Sequence, residues 1–302
     1  MEKTNEKRID LHMHSTFSDG VLTPLQILQK AKENNVEILS ITDHDCILAY
    51  DQEFFEKAKE LQIKIVCGVE ISTVWKSARI HVLGYDFDLG NENLKQTLFK
   101  LKNSRIEYLK NVSVLLEKIG YKVNTSKLLE IESVTKATIA DDVVSNKENK
   151  ALLEKVFGFV PSRGEFIEAV MNKGCPAYVK KNTLSPKEAG EVIKQANGKV
   201  VLAHPVCYKH EQGLSLENVL EIINEIQPFA IEANYICVSA NGQIIDEVDF
   251  WKNIAKTNNL VCTIGSDFHF SNGLNPEIGL VNTALKLSEE EKNSLFESLT
   301  KK

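Results

Sequence analysis

A chain of 302 residues, 43% hydrophobic and 26% charged, has an ordinary globular composition and can bury a large core, as one large domain or a domain carrying an insertion. Its net charge of −6 argues against a broad electrostatic grip on duplex nucleic acid and favours a small anionic substrate held in a local basic pocket. The N-terminal residues Met1 to Lys7 lack the apolar run of a secretory signal, and no segment reaches about 18 consecutive apolar residues, so a cytoplasmic protein without a membrane partner is expected.

The first apolar run, Ile9 to His12, reads as a strand, and Thr23-Pro24-Leu25-Gln26 opens a helix with a capping box and proline at the first helical position. A second strand at Ile38 to Thr42, a helix near Asp51 to Leu61 and a third strand at Ile63 to Val69 follow, and such strand–helix repeats imply parallel pairing. From Asn91 to Gly174 convincing strands are missing, and Leu94 to Ile119 has helical spacing. Residues 91–174 therefore read as a helical insertion, either a surface elaboration or a lid for substrate, between two parts of one barrel at 1–90 and 175–302. The rhythm resumes with a helix capped at Ser185-Pro186-Lys187-Glu188 and with strands at Val200 to Ala203, Ala230 to Ala233 and Val261 to Ile264. Helical patterns at Ser215 to Ile226 and Ile244 to Thr257 separate these strands, which fits a parallel α/β barrel. The six cysteines are scattered and read mostly as small core residues.

Of the seven histidines, all but His210 fall at or just after an expected strand, and in a parallel barrel such positions share the rim where catalytic residues collect. His12 and His14, at i and i+2, share one face. His44 lies between Asp43 and Asp45, which could ligate a metal or orient the ring. Glu70 closes the third strand, where a carboxylate is costly unless paired or metal-bound. His81 sits in an apolar strand, His204 at a strand end, and Asp267 with His269 forms a second same-face pair. With Asp19 these make nine candidate ligands of imidazole and carboxylate type without thiolate. That set suits hydrolytic zinc, manganese or iron and is large enough for two or three divalent ions, an arrangement favouring displacement at phosphorus.

Asp10-Leu11-His12-Met13-His14-Ser15 with Ser18-Asp19-Gly20, then Thr42-Asp43-His44-Asp45, Gly68-Val69-Glu70, Ala203-His204-Pro205 and Gly265-Ser266-Asp267-Phe268-His269, resemble the polymerase and histidinol phosphatase (PHP) superfamily. The insertion resembles that of its nucleotide phosphoesterase branch, which includes AMP phosphatases, nucleoside 3′,5′-bisphosphate phosphatases and 5′-to-3′ exoribonucleases. The resemblance implies a distorted (β/α)7 TIM-like barrel and a trinuclear centre of Mn2+, Fe2+ or Zn2+ on His12, His14, Asp19, His44, Glu70, His81, His204, Asp267 and His269. It also implies hydrolysis of a phosphate ester by a metal-bridging hydroxide, with Asp19, His44, His204 and Asp267 as catalytic positions. Where the branch carries Arg-Pro-His-Ile-Ala-Arg, this chain reads Lys136-Ala137-Thr138-Ile139-Ala140-Asp141, and the branch's Ser-His pair after Ile231-Glu232-Ala233 is replaced by Asn234 to Ser239. Candidate phosphate contacts are then Arg79, Lys136, Arg163, Lys180, Lys209 and His210, with Lys136 and Lys180 preferred.

The expected function is thus hydrolysis of a phosphate monoester of a nucleotide or similar small molecule. Three other readings compete: a 5′-to-3′ oligoribonucleotide exonuclease, an amidohydrolase-like deaminase and a non-catalytic nucleotide sensor.

Overall fold

A computed structural model describes residues 7–239, 242–273, 275–281 and 287–301. The chain divides into two compact units, one built from Met1–Thr97 and Leu184–Lys302, the other from Leu98–Thr183.

In the first unit, β1 (Arg8–Asp10) leads to α1 (Pro24–Glu33), whose start is set by the Thr23 capping box and Pro24 and whose buried stripe is Ile27, Leu28 and Ala31. β2 (Val36–Leu39) follows, then α2 (Gln52–Leu61), capped by Asp51 and ended by Gln62 in the left-handed region at φ 59°. β3 (Lys64–Ile65) runs on into β4 (Gly68–Trp75), and a two-residue turn with Lys76 at φ 56° returns the chain as β5 (Ala78–Tyr85).

α3 (Glu92–Lys118) crosses from the first unit into the second. The second unit continues with α4 (Thr125–Leu128), α5 (Lys136–Ser145), α6 (Lys150–Phe157) and α7 (Arg163–Phe166), and its described residues include no strand. Leu109, Val112, Leu116, Ile139, Leu153 and Phe166 form its own buried core.

Back in the first unit come α8 (Pro186–Gln195), β6 (Lys199–Leu202), α9 (Pro205–Gln212), α10 (Leu216–Ile226), β7 (Ala230–Asn234), β8 (Cys237–Val238), β9 (Ile244–Ile245), α11 (Val248–Thr257), β10 (Val261–Ile264) and α12 (Glu289–Thr300).

One three-stranded sheet runs β1-β2-β3 and one five-stranded sheet runs β10-β7-β6-β5-β4. The continuous chain from β3 to β4 joins them on one side. On the other, Leu11 N–H donates to Ile264 O at 3.1 Å, and a parallel bridge pairs Met13 with Phe268. The result is a closed, distorted α/β barrel.

The ring is not wholly parallel, as the strand–helix rhythm predicted: β5 pairs antiparallel with both β4 and β6. The physical reason is the tight turn at Lys76, because a parallel crossover needs a dozen or more residues between strands. A second difference lies at Ile244 and Ile245, expected as the start of a helix. They pair antiparallel with Val238 and Cys237, and the helix starts at Val248. Trp75 and Trp251 are both buried in the barrel core. No helix among the described residues is long and apolar enough to cross a membrane.

Candidate metal centre

The chain just beyond β1 carries His12 and His14 to one face, both fully buried, with their Nε2 atoms 3.3 Å apart. Glu70 from β4 and Asp267 from just beyond β10 join them. His12 Nε2 lies 3.4 Å from Glu70 Oε2 and 3.3 Å from Asp267 Oδ1, and His14 Nε2 lies 3.3 Å and 3.1 Å from the same two oxygens. An ion with tetrahedral N and O ligands at about 2.0–2.2 Å holds those atoms roughly 3.3–3.6 Å from one another. The spacing of these four donors therefore fits an ion at their centre.

Glu70 extends the cluster with its other oxygen. Oε1 is 2.9 Å from His81 Nδ1 and 3.2 Å from His204 Nε2, and those two nitrogens are 3.3 Å apart. His44 Nδ1 is 3.1 Å from Glu70 Oε2. On the far side of His14, Asp19 gathers His269 at 3.4 Å and His44 at 3.8 Å. All nine residues singled out in the sequence thus meet in the first unit: eight fall in overlapping groups that could hold metal ions, and His204 joins them through Glu70 and His81.

Neighbouring groups fix this geometry. Asp43 accepts from Ser15 N at 2.7 Å and from the hydroxyls of Ser15 and Ser18 at 2.6 Å, shaping the turn that presents Asp19. Gly20 closes that turn because a Cβ there would lie 2.0 Å from His14 O. Asp10 accepts from Ser266 N at 2.9 Å and Gly279 N at 2.8 Å, tying β1 to the loop after β10. Asp45 accepts from Ser72 N at 2.9 Å. The His44 ring faces Ser72 Oγ at 3.3 Å and Glu70 Oε2 at 3.1 Å. Tyr235 donates to Asp267 Oδ2 at 3.0 Å, leaving Oδ1 toward the histidines. Sequence reasoning missed Tyr235; an aromatic hydroxyl in an apolar stretch gives no sign of its distant partner.

The electrostatics suit a cation. Burial pushes Asp19 and Glu70 up, but the imidazoles of His269 and His44 around the first, and of His81, His44 and His12 around the second, hold both carboxyls well below the usual range. Burial also opposes ionisation of Asp267, which His12, His269 and His14 nevertheless keep low. For the imidazoles, burial depresses His14 and His204, but hydrogen bonds to Asp267 and Glu70 raise His14 to about 10, and Glu70 and Asp267 raise His204 to about 9. In the protein alone His12, His14 and His204 are thus held in favour of the charged form that the carboxylates demand. Among the described residues, none donates a hydrogen bond to the buried Asp19 Oδ1.

The expected phosphate contacts are placed differently. Lys136 and Lys180 lie in the second unit, where the Lys136 ammonium donates to Met171 O at 3.3 Å and Asn172 Oδ1 at 3.1 Å, and Lys180 is exposed. Thr138, where the branch has histidine, closes a capping box with Thr135. Arg163 pairs with Asp141 at 3.1 Å, and Lys209 and His210 both pair with Glu247, at 2.7 and 2.9 Å.

Comparison with known proteins agrees with this geometry. The PHP domain family model matches residues 10–196, more than half of the chain. The chain is 30% identical over 289 residues to a 5′-3′ exoribonuclease of Haemophilus influenzae, covering 94% of this chain and 99% of that protein. It is 26% identical to a 3′,5′-nucleoside bisphosphate phosphatase of Chromobacterium violaceum, over 86% of this chain and 87% of that one. A crystal structure from Bifidobacterium adolescentis, assigned as a metal-dependent phosphoesterase, shares the fold with a TM-score of 0.76 at 21% identity, over 97% of this chain and 96% of that one. On the family match and the near full-length relative, this chain belongs to the PHP domain family and is a phosphoric ester hydrolase.

Proposed function

We propose that the nine-residue cluster is a multinuclear centre of two or three divalent ions that hydrolyses a phosphate monoester of a nucleotide or similar small molecule. The observation that carries this reading is the spacing of His12, His14, Glu70 and Asp267, which leaves room for one ion among four ionisable donors. Glu70, with one oxygen toward His12, His14 and His44 and the other toward His81 and His204, is the group able to link two ions. Asp19, His44 and His269 would hold a third with His14.

Divalent ions, when bound, acidify a water and neutralise charge on the phosphoryl oxygens. The protein's own residues supply the rest. His12, His14 and Glu70 are sealed from solvent and form the floor. The side chains of His81, Asp267 and His269, 25%, 18% and 17% exposed, mark the open side where a phosphoryl group enters. Asp19, His44, His204 and Asp267 are the proposed catalytic positions. Burial, with His14 and His81 alongside, holds the His44 imidazole below its ordinary value against the pull of Glu70 and Asp19, and a neutral imidazole has one nitrogen lone pair to offer an ion. Lys136 and Lys180 are proposed as phosphate contacts on charge alone.

The relative from H. influenzae supports a second reading, stepwise removal of nucleotides from the 5′ end of a short RNA. Manganese-loaded protein offered a nucleoside 3′,5′-bisphosphate and a 5′-phosphorylated oligoribonucleotide separates the two. Inorganic phosphate from the first supports the monoesterase, and nucleoside monophosphates from the second support the exonuclease. Ammonia release from nucleosides, or tight nucleotide binding with no turnover of either phosphate ester over hours, would reject both.

A further inference from the structure

β7 contributes no residue to the nine, yet its central side chain reaches the floor of the site. Along β7 the side chains alternate: Ile231 and Ala233 pack outward in the cluster that holds Trp251 and Ala255 of α11, and Glu232 between them faces the opposite way. The Glu232 side chain is fully buried, and its two oxygens lie 3.0 and 3.1 Å from His12 Nδ1. Oε2 also accepts from the backbone N–H of His204 at 2.9 Å. Space for this approach is made at residue 265, where a Cβ would fall 2.2 Å from His12 Cβ and 2.4 Å from Glu232 Oε1, so only glycine fits.

Resting on the metal-centre reading above, we infer that Glu232 is a positioning residue for the metal centre: it fixes the His12 tautomer and the His204 backbone so that both Nε2 atoms point at the cluster. The chemistry is that of a carboxylate accepting from one ring nitrogen of a metal-bound histidine. With both Glu232 oxygens at His12 Nδ1, an N–H there donates to the carboxyl group and the Nε2 lone pair is left for the ion. Nε2 is the atom that faces Glu70 and Asp267. At His204 the same carboxylate restrains the main chain at φ 22°, a torsion in the left-handed region that a histidine does not favour. One side chain thus orients two candidate ligands that lie far apart in the chain.

The test uses the full-length protein and Glu232→Gln, which keeps the shape and loses the charge. Titration with Zn2+ by calorimetry is expected to show affinity lower by roughly 10–100-fold in the variant. In parallel, 15N-histidine spectra of the Zn2+-loaded wild type should show His12 with Nδ1 protonated and Nε2 bound, a signature that a purely structural buried carboxylate would not set. Equal affinity in wild type and variant overturns the inference. So does a wild-type spectrum in which His12 Nδ1 lacks its proton, and that measurement decides the matter even if the variant does not fold. Wild-type protein that takes up no divalent ion overturns the metal-centre reading itself, and this inference with it.

Discussion

Asp267 and His204 hold backbone torsions that L-residues rarely adopt, φ 53° and 22°, and both put a donor into the cluster. Such strain persists only where surrounding contacts over-determine it. At Asp267 those contacts are its own N–H donating to His12 O at 2.8 Å and the Tyr235 hydroxyl on its carboxylate. Asp267→Asn keeps the shape and removes the charge, and phosphate release with saturating Mn2+ is expected to fall on the order of 100-fold or more, at or beyond the upper end of losses for residues that only support a ligand. An unchanged rate would remove Asp267 from the catalytic positions. The two preferred lysines differ in kind. Lys136 is already engaged within its own unit, whereas Lys180 is exposed. Lys180→Ala is therefore expected to raise KM several-fold with kcat little changed, and Lys136→Ala to lower stability by about 1 kcal/mol through the lost hydrogen bonds. Steady-state kinetics and urea unfolding of the two variants would reveal the opposite pattern if the roles are reversed. At this scale the cluster was legible because imidazoles and carboxylates at strand ends are chemically conspicuous. Glu232 carried the same signal as Glu70, a charge inside an apolar run, but its partners lie 220 and 28 residues away, and no periodicity reports that.

Helix starts are the elements most plainly written in the chain. Ser185 accepts from Glu188 N at 3.3 Å while its own N–H and hydroxyl donate to Glu188 Oε2 at 2.7 and 2.8 Å, closing the box that begins α8. Ser185→Ala is expected to cost about 1 kcal/mol at neutral pH, read by urea unfolding. The pH dependence follows from the same contacts. The Ser185 N–H and hydroxyl hold Glu188 below its ordinary carboxylate range, so the folded state binds its proton less readily than the unfolded chain. The stabilisation is complete above the ordinary value of 4.5 and is lost as pH falls through the depressed folded one. Glu188→Gln should accordingly flatten the acid limb of the stability curve, and a limb of unchanged slope would exclude Glu188 as a contributor. Strand direction was the less legible property. A period of two fixes which residues face inward in β5, so His81 could be placed on the site, but the same period serves parallel and antiparallel neighbours alike. Only the two-residue turn at Lys76 decides, and it carries neither Asn-Gly nor Gly to announce itself. Ile244 and Ile245 misled for a related reason: a short apolar pair is compatible with either state until a partner strand is known.

For the barrel as a whole, the proposed ions are cross-links between staves. His12 and His14 follow β1, His44 follows β2, Glu70 and His81 belong to β4 and β5, His204 follows β6, and Asp267 and His269 follow β10. An ion that binds the folded arrangement and not the unfolded chain stabilises by mass action, about 2.7 kcal/mol at 100 times its Kd. Thermal unfolding with Mn2+ should therefore shift upward by several degrees and return on adding a chelator, and a Tm indifferent to metal would count against the centre.

The seam where the barrel closes runs through the site itself. Met13 bridges to Phe268, so the residues on either side of that bridge are His12 and His14 on one strand end and Asp267 and His269 on the other. Without that pairing His12 and His14 would keep Glu70 beside them but lose the fourth donor of their tetrahedron. An opening of the seam would therefore take apart the proposed ion site, and an ion held there would act as the clasp of the barrel.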